Sequence, residues 1–283
     1  LAARGEKIFS SASAELSTVI EADTSMTGSG TIGVDSVAGF SSSGTLEIAI
    51  SETEIERFTY TGLNASSDPP TFTGVTRQVD STNARKHLAT IQVSENWTER
   101  DSGRTNAGKY RFERFNFNGT DKIILVDEVN APVVIDSSMN FVDVSASSVA
   151  GSKFVASFKN HMFYAGKSTT PEELIFSVPF DEDDFTGGSG AGSIRGDDTI
   201  TGIKVFRDSL FIFCENRIFK LTGNTSSDFA IQAVTRSIGC INGDTIQEFG
   251  GDLIFLGPDG LRTVAATERI GDTELGTISR NVQ

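Results

Sequence analysis

Four segments of the chain repeat one pattern: a Phe, a short polar turn, then a tight apolar strand. They are Phe117-Asn-Gly-Thr-Asp-Lys-Ile-Ile-Leu-Val126, Phe158-Lys-Asn-His-Met-Phe-Tyr-Ala165, Phe206-Arg-Asp-Ser-Leu-Phe-Ile-Phe213 and Phe249-Gly-Gly-Asp-Leu-Ile-Phe-Leu256. The Phe anchors recur every roughly 40 to 48 residues, the period of a four-stranded propeller blade. A single small sheet cannot bury its own apolar face. Radial stacking of such sheets buries those faces and leaves only short edges. The repeat fixes architecture more than function, because propellers host many functions.

The chain has 283 residues, 37% of them hydrophobic. That is enough for one large all-β domain, or for a domain carrying an inserted module. Apolar residues are spread throughout, which argues against disorder. Phe dominates the aromatics, 21 against 3 Tyr and 1 Trp, and in a β protein such rings serve chiefly as core between sheets. The expected fold is all-β: propeller-like stacked antiparallel blades with an inserted small β domain.

Residues 1–26 are expected to supply the first propeller strands. Residues 27–96 lack the repeat and read as a compact β module, with strands at Thr31–Val34, Gly44–Ile50, Glu56–Thr61, Thr71–Arg77 and Thr90–Val93. Glu56-Arg-Phe-Thr-Tyr-Thr61 alternates as a half-buried strand should, and Ser66-Ser-Asp-Pro-Pro70 marks a turn. Polar residues 97–109 form a return linker, 110–272 the blades, and 273–283 a C-terminal strand or linker. Phe185–Ser193 is expected as a flexible glycine-rich loop. The best candidate for a short helix is Pro171-Glu-Glu-Leu174, since Pro suits a first helical position. The chain starts at Leu1 without a Met and its last residues carry no stop signal, so a segment of a longer chain is expected. No apolar run approaches the length of a membrane helix, and no membrane insertion is expected.

Formal net charge is −14. Such a surface repels nucleic acid, which argues against tight DNA binding. It is compatible with a passage through which DNA slides without sticking. If the chain lines such a passage, the lumen wall is expected to be neutral or acidic, with the cations turned toward neighbouring subunits. Arg85, Lys86 and His87, a local basic spot on the module, are the candidate interaction residues.

No motif marks a reaction. Asp181-Glu-Asp-Asp184 offers oxygen ligands for Ca²⁺ but lacks the spacing and glycine of an EF-hand loop, so a solvated turn is the simpler reading. His87 and His161 have no Cys or His partner at ligand spacing. Cys214 and Cys240 fall on successive repeats and read as buried free thiols more readily than as a disulfide. Leu256-Gly-Pro-Asp-Gly-Leu261 is a strong β-turn. The Asn-x-Ser/Thr matches at Asn64, Asn96, Asn118 and Asn224 are what a Ser/Thr-rich chain gives by chance. Nucleophile elbow, phosphate loop and dinucleotide fingerprint are all missing from the sequence. No catalytic residue, cofactor or metal is assigned, and the chain is not expected to be an enzyme.

Several blocks, in order, carry a family resemblance. They are Met162-Phe-Tyr-Ala-Gly166, Pro171-Glu-Glu-Leu-Ile-Phe-Ser177 with Asp184-Phe185, Ile200-Thr-Gly-Ile-Lys-Val-Phe-Arg-Asp-Ser-Leu-Phe-Ile-Phe213 and Gly251-Asp-Leu-Ile-Phe-Leu-Gly-Pro-Asp-Gly260. This order resembles the propeller of bacteriophage tail nozzle and related head-to-tail stabilisation proteins. Ile32–Phe40, Glu56–Tyr60 and Phe72–Arg77 through His87 resemble small β modules of phage tail and baseplate proteins. The resemblance implies a virion component of the phage tail, arranged as a homo-oligomeric ring beside other tail or head-to-tail proteins and shaping the genome's path. One alternative is a receptor- or glycan-binding module at the tail tip, which would want clustered Tyr and Trp. A propeller glycosidase is a further one, and would need a paired acid and nucleophile.

Overall fold

The computed structural model describes residues 2–264 apart from 5, 23, 50, 52, 53, 97, 106 and 107. The expected C-terminal strand or linker at 273–283, and the blade residues expected at 265–272, lie outside the described residues. The fold is all-β: the described residues form 25 strands, every pairing among them antiparallel, plus three 3-10 turns. Two compact units divide at Arg104/Thr105.

The first unit, Leu1–Arg104, holds β1 (Ala2–Arg4), β2 (Lys7–Ser10), β3 (Ser13–Glu15), β4 (Thr27–Gly33), β5 (Gly44–Ala49), β6 (Ile55–Tyr60), β7 (Gly62–Asn64), β8 (Thr71–Arg77), β9 (Gln92–Glu95) and β10 (Thr98–Asp101). One sheet has the order β1-β2-β10. The larger has the order β3-β9-β5-β6-β8-β4, with β7 added to β8. The alternation read in residues 56–61 is realised in β6, where Glu56, Phe58 and Tyr60 all face inward. Tyr60 and Phe72 meet edge-on at 4.8 Å, and Phe40 meets Phe72 at 4.9 Å, the arrangement favoured by ring quadrupoles.

Two boundaries differ from expectation. The module starts before residue 27: β3 pairs with β9, and Ala14, Leu16, Ile20 and Met26 are buried in the module's core. Apolar side chains at alternate positions of Ser13–Leu16 have a face to bury, and that face belongs to this sheet. The 97–109 stretch is not all linker, because β10 pairs with β2. The chain thus leaves the three-stranded sheet after β2 and returns to it at β10.

The second unit contains β11 (Arg111–Phe117), β12 (Thr120–Val126), β13 (Val133–Ile135), β14 (Phe141–Asp143), β15 (Phe154–Phe158), β16 (His161–Lys167), β17 (Thr170–Phe176), β18 (Gly192–Arg195), β19 (Ile200–Phe206), β20 (Ser209–Cys214), β21 (Ile218–Thr222), β22 (Ala230–Thr235), β23 (Gln247–Phe249), β24 (Asp252–Gly257) and β25 (Gly260–Thr263). These make three four-stranded meanders, β11–β14, β15–β18 and β19–β22, and a three-stranded one, β23–β25. Each repeat motif is the first hairpin of a blade. The anchor Phe ends the first strand and pairs across a two-residue turn: Phe117 with Thr120, Phe158 with His161, Phe206 with Ser209, Phe249 with Asp252. Asn118-Gly119, Lys159-Asn160 and Gly250-Gly251 carry positive φ at both central residues, the backbone of a type I′ turn, whose twist matches that of the strands it joins.

The anchors pack forward onto the next blade. Phe117 lies in one cluster with Met162 and Tyr164, Phe158 with Leu210 and Ile212, and Phe206 with Leu253 and Phe255. Stacking of consecutive blades is therefore what covers the apolar faces that meet at these three interfaces. The Pro171–Leu174 stretch is not helical: it lies in β17, pairing with β16 and β18 and burying Leu174. Pro171 is near the strand's start, where a missing N–H is tolerated, and the apolar Leu174-Ile-Phe176 run needs a sheet to bury it. The glycine-rich loop is shorter than expected, with a 3-10 turn at Gly187–Ser189 and Gly192-Ser193 already in β18.

Candidate functional site

Within the second unit, the first strands of three blades and the Asn242–Thr245 turn line a cleft of about 460 Å³. Its charged side chains include Arg111, Glu113, Lys204 and Asp244. Arg111 donates from Nε to Asp244 Oδ1 at 3.1 Å and from Nη2 to Asp244 Oδ2 at 3.3 Å, a two-pronged geometry that Lys cannot reproduce. Its Nη1 reaches Glu128 Oε1 at 2.9 Å, and its guanidinium lies 5.0 Å from the centre of the Phe154 ring. Lys109 Nζ adds a contact of 3.0 Å to Asp244 Oδ2. Burial works to raise the Asp244 carboxyl, but Lys109 and Arg111 overcome it and hold it below the usual range. These contacts tie the first blade's inner strand to the turn that opens the fourth.

Glu113 behaves oppositely. Burial pushes its carboxyl up; a bond from the Ser157 N–H at 3.2 Å and the Lys204 charge oppose this only in part. A raised carboxyl in a cleft is a common mark of functional chemistry. Glycoside cleavage needs a second carboxyl group placed across the bond, and Asp244 is committed to its two cations.

The three sequence-predicted interaction residues are split. Arg85 and Lys86 are exposed, each in an ion pair: Arg85 Nη2 with Glu54 Oε1 and Lys86 Nζ with Glu21 Oε1, both at 2.9 Å. His87 is buried, 4% exposed, so it offers no surface to a partner. Its Nε2 lies 2.7 Å from Glu56 Oε2. Glu56 Oε2 also accepts from the Arg85 N–H at 2.8 Å and from Arg77 Nη2 at 3.2 Å. Arg77 Nη1 donates in turn to the Glu21 and Thr24 carbonyls at 2.6 and 3.1 Å. The physical reason for the correction is this network. A buried carboxylate needs partners on both oxygens, and His87 is one of them. It holds segments 20–24 and 85–87 against β6 and β8.

The other candidates are structural. In the acidic run, Asp181 Oδ1 accepts from the Asp183 and Asp184 N–H groups at 3.1 and 3.2 Å. Asp183 accepts from Ser145 N, Asp184 from Thr186 N, and Glu182 pairs with Lys122. Three of the four carboxylates accept from backbone N–H groups, and the fourth, Glu182, is held in an ion pair. Among the described residues no group of three or more His, Cys, Asp or Glu side chains is placed to hold a metal ion. His161 is packed against Phe163, Phe176 and Phe229, with Nδ1 2.6 Å from the Ser177 carbonyl oxygen. Cys214 and Cys240 are buried free thiols, and the Cys240 N–H donates to the Cys214 carbonyl at 2.9 Å.

No protein-family model matches the chain, and no curated protein matches it significantly. Among the solved structures similar to the chain, two illustrate the range. One is the extracellular domain of a protein assigned as a one-component system from B. thetaiotaomicron, at 13% identity and a TM-score of 0.41, over 92% of this chain and 33% of that one. The other is the computationally designed Ika8 protein, at 8% identity and a TM-score of 0.33, over 80% of this chain and 72% of that one. The chain thus spans about a third of the length of the first.

Sequence reasoning missed the Arg111–Asp244 tie and the raised Glu113. The tie joins residues 133 apart, and no local pattern marks either end. Asn242-Gly-Asp244 carries turn residues and nothing that points to Arg111.

Proposed function

We propose that this chain is a structural protein of a bacteriophage tail. It assembles with copies of itself in a ring, beside other tail or head-to-tail proteins, and shapes the path of the genome. It makes and breaks no bond.

One observation carries this reading. Apart from Glu113, the charged clusters described above are engaged in holding the frame: Arg111 and Asp244 join first blade to fourth, and Arg77, Glu56 and His87 join loops to strands. The stretches that resemble nozzle propellers are also the ones that form blade hairpins and their neighbours. The resulting work is done by shape and surface. A chain of net charge −14 repels duplex DNA over about 10 Å at moderate salt, so a wall built from it guides without gripping.

The test is mass spectrometry on purified particles of the phage that encodes the chain, with antibody labelling in the electron microscope. The expected result is the chain in stoichiometric amount, with label at a ring of the tail. Absence from purified particles overturns the reading. So does reproducible glycoside hydrolysis by the isolated protein that is lost in Glu113→Gln.

A further inference from the structure

The charges on the wall of the inner cleft divide into a closed set and an open one. Lys109, Arg111 and Asp244 saturate one another. Asp244 takes two bonds from Arg111 and one from Lys109, and Arg111 Nη1 is engaged with Glu128 and with the Lys109 and Lys153 carbonyls. Glu113 and Lys204 are the open set. They stand on β11 and β19, the first strands of blades one and three, and both strands pack against β15. One Glu113 oxygen accepts from the Ser157 N–H at 3.2 Å; the other has no donor among the described residues. Lys204 is exposed and forms no ion pair among the described residues. Its charge acts on Glu113 through space, without a hydrogen bond between the two. Glu56 shows the contrast, with donors on both of its oxygens. At Glu113, burial outweighs the one N–H and the Lys204 charge and pushes the carboxyl up. A carboxylate drawn out of water with one oxygen unmatched lacks a donor, and a cationic donor serves it best. Val155, Ile203 and Val205, all half-buried, line the same cleft.

We propose that the inner cleft binds a zwitterionic aliphatic α-amino acid, with its ammonium group on Glu113 and its carboxylate on Lys204. Three considerations select that class. First, the two open charges are of opposite sign, so a ligand with a single charge satisfies one and is repelled by the other. Second, a zwitterion carries no net charge. It approaches a chain of −14 without the repulsion that a simple carboxylate meets. Third, the Val155, Ile203 and Val205 wall offers an apolar surface to an aliphatic side chain, in the pattern of small-molecule sites, where a few polar groups orient a ligand against apolar lining. The cleft's volume of about 460 Å³ is ample for a molecule of this size. This binding is independent of the tail reading: uptake by the isolated chain and presence in a particle are measured separately, and either can fail alone.

Equilibrium dialysis of the intact chain against radiolabelled L-leucine tests it, with isoamylamine and isocaproate as competitors that each keep one of leucine's two charges. The expected result is saturable uptake of leucine, with either competitor weaker than unlabelled leucine by about tenfold or more, the effect of losing one charged contact. Glu113→Gln keeps an acceptor for the Ser157 N–H and removes the charge; Lys204→Gln removes a cation from an exposed position. Each is expected to weaken leucine binding about tenfold or more, with circular dichroism and melting unchanged. Should Glu113→Gln lower the melting temperature, Lys204→Gln decides alone. Lack of saturable uptake up to about 10 mM leucine overturns the proposal. So does competition by the amine or the carboxylate as strong as that by leucine, and so does uptake that Lys204→Gln leaves unchanged.

Discussion

Arg77 Nε lies 2.5 Å from Glu56 Oε1, with the two side chains 1% and 0% exposed. The pair sits on the inward face of the module sheet, with the Arg77 guanidinium 5.6 Å from the centre of the Phe58 ring. Breaking a buried pair from one side leaves an uncompensated charge, which costs far more than the pair's net contribution.

Glu56→Ala should therefore destabilise the first unit by about 3–5 kcal/mol, since Arg77 and His87 lose a common acceptor. Urea unfolding followed by the fluorescence of the chain's single tryptophan, Trp97, measures this. A loss below about 1 kcal/mol would show that the network contributes little.

The same carboxylate makes stability depend on pH. Burial alone would raise the Glu56 carboxyl. Bonds from Arg77, His87 and the Arg85 N–H outweigh it and hold the group below the usual glutamate range. A depressed folded-state value means that the unfolded chain binds the proton more readily. The contribution is thus fully present above the ordinary value of about 4.3 and is lost as pH falls below it. Unfolding midpoints recorded from neutral pH downward should drop through that window. Glu56→Gln should flatten the drop.

The blade hairpins give a test of backbone conformation free of packing. Gly251 has φ +79°, and a Cβ built there meets nothing within 4 Å. Gly251→Ala should still cost about 1–2 kcal/mol, the penalty for a Cβ in the left-handed region. For a unit of this size that lowers the melting temperature by about 2–8 °C. An unchanged melting temperature would mean that the turn relaxes to another type.

Much of the second unit is legible in the sequence because its signals are local. A Phe, two turn residues and an alternating strand specify a hairpin within ten residues, and the hairpin's twist specifies the turn. The features that were not legible depend on distant partners. Arg85-Lys-His87 looks like a surface basic spot, but Glu56, 31 residues upstream, draws His87 inside. Pro171 suggested a helix start; the adjoining strand and Leu174's need for cover decided otherwise. Phe249 carries the same letters as its three counterparts. Among the described residues it is 73% exposed where its counterparts are core, a difference that no local pattern encodes.

The thiols supply a further expected outcome. Burial first, and the nearby Asp198 and Asp197 charges second, push the Cys214 thiol up to about 12, while burial also raises Cys240. Thiolate is the reactive form, so neither residue should react with Ellman's reagent at neutral pH in the native protein. Both should react on unfolding. Rapid labelling of native protein would contradict the buried placement.

The two units differ in how far apart along the chain their sheet partners lie, and this bears on how each assembles. Every blade pairs only neighbouring strands, so each hairpin closes a short loop, and blades can form one after another as they leave the ribosome. The module instead pairs β3 with β9, and Ser11 bonds to the Glu95 carbonyl 84 residues later. Closing a loop that long forfeits chain entropy before any contact compensates, and topologies dominated by such pairings fold slowly. The module is thus the slower-folding half, and its early strands wait for β9 to be made.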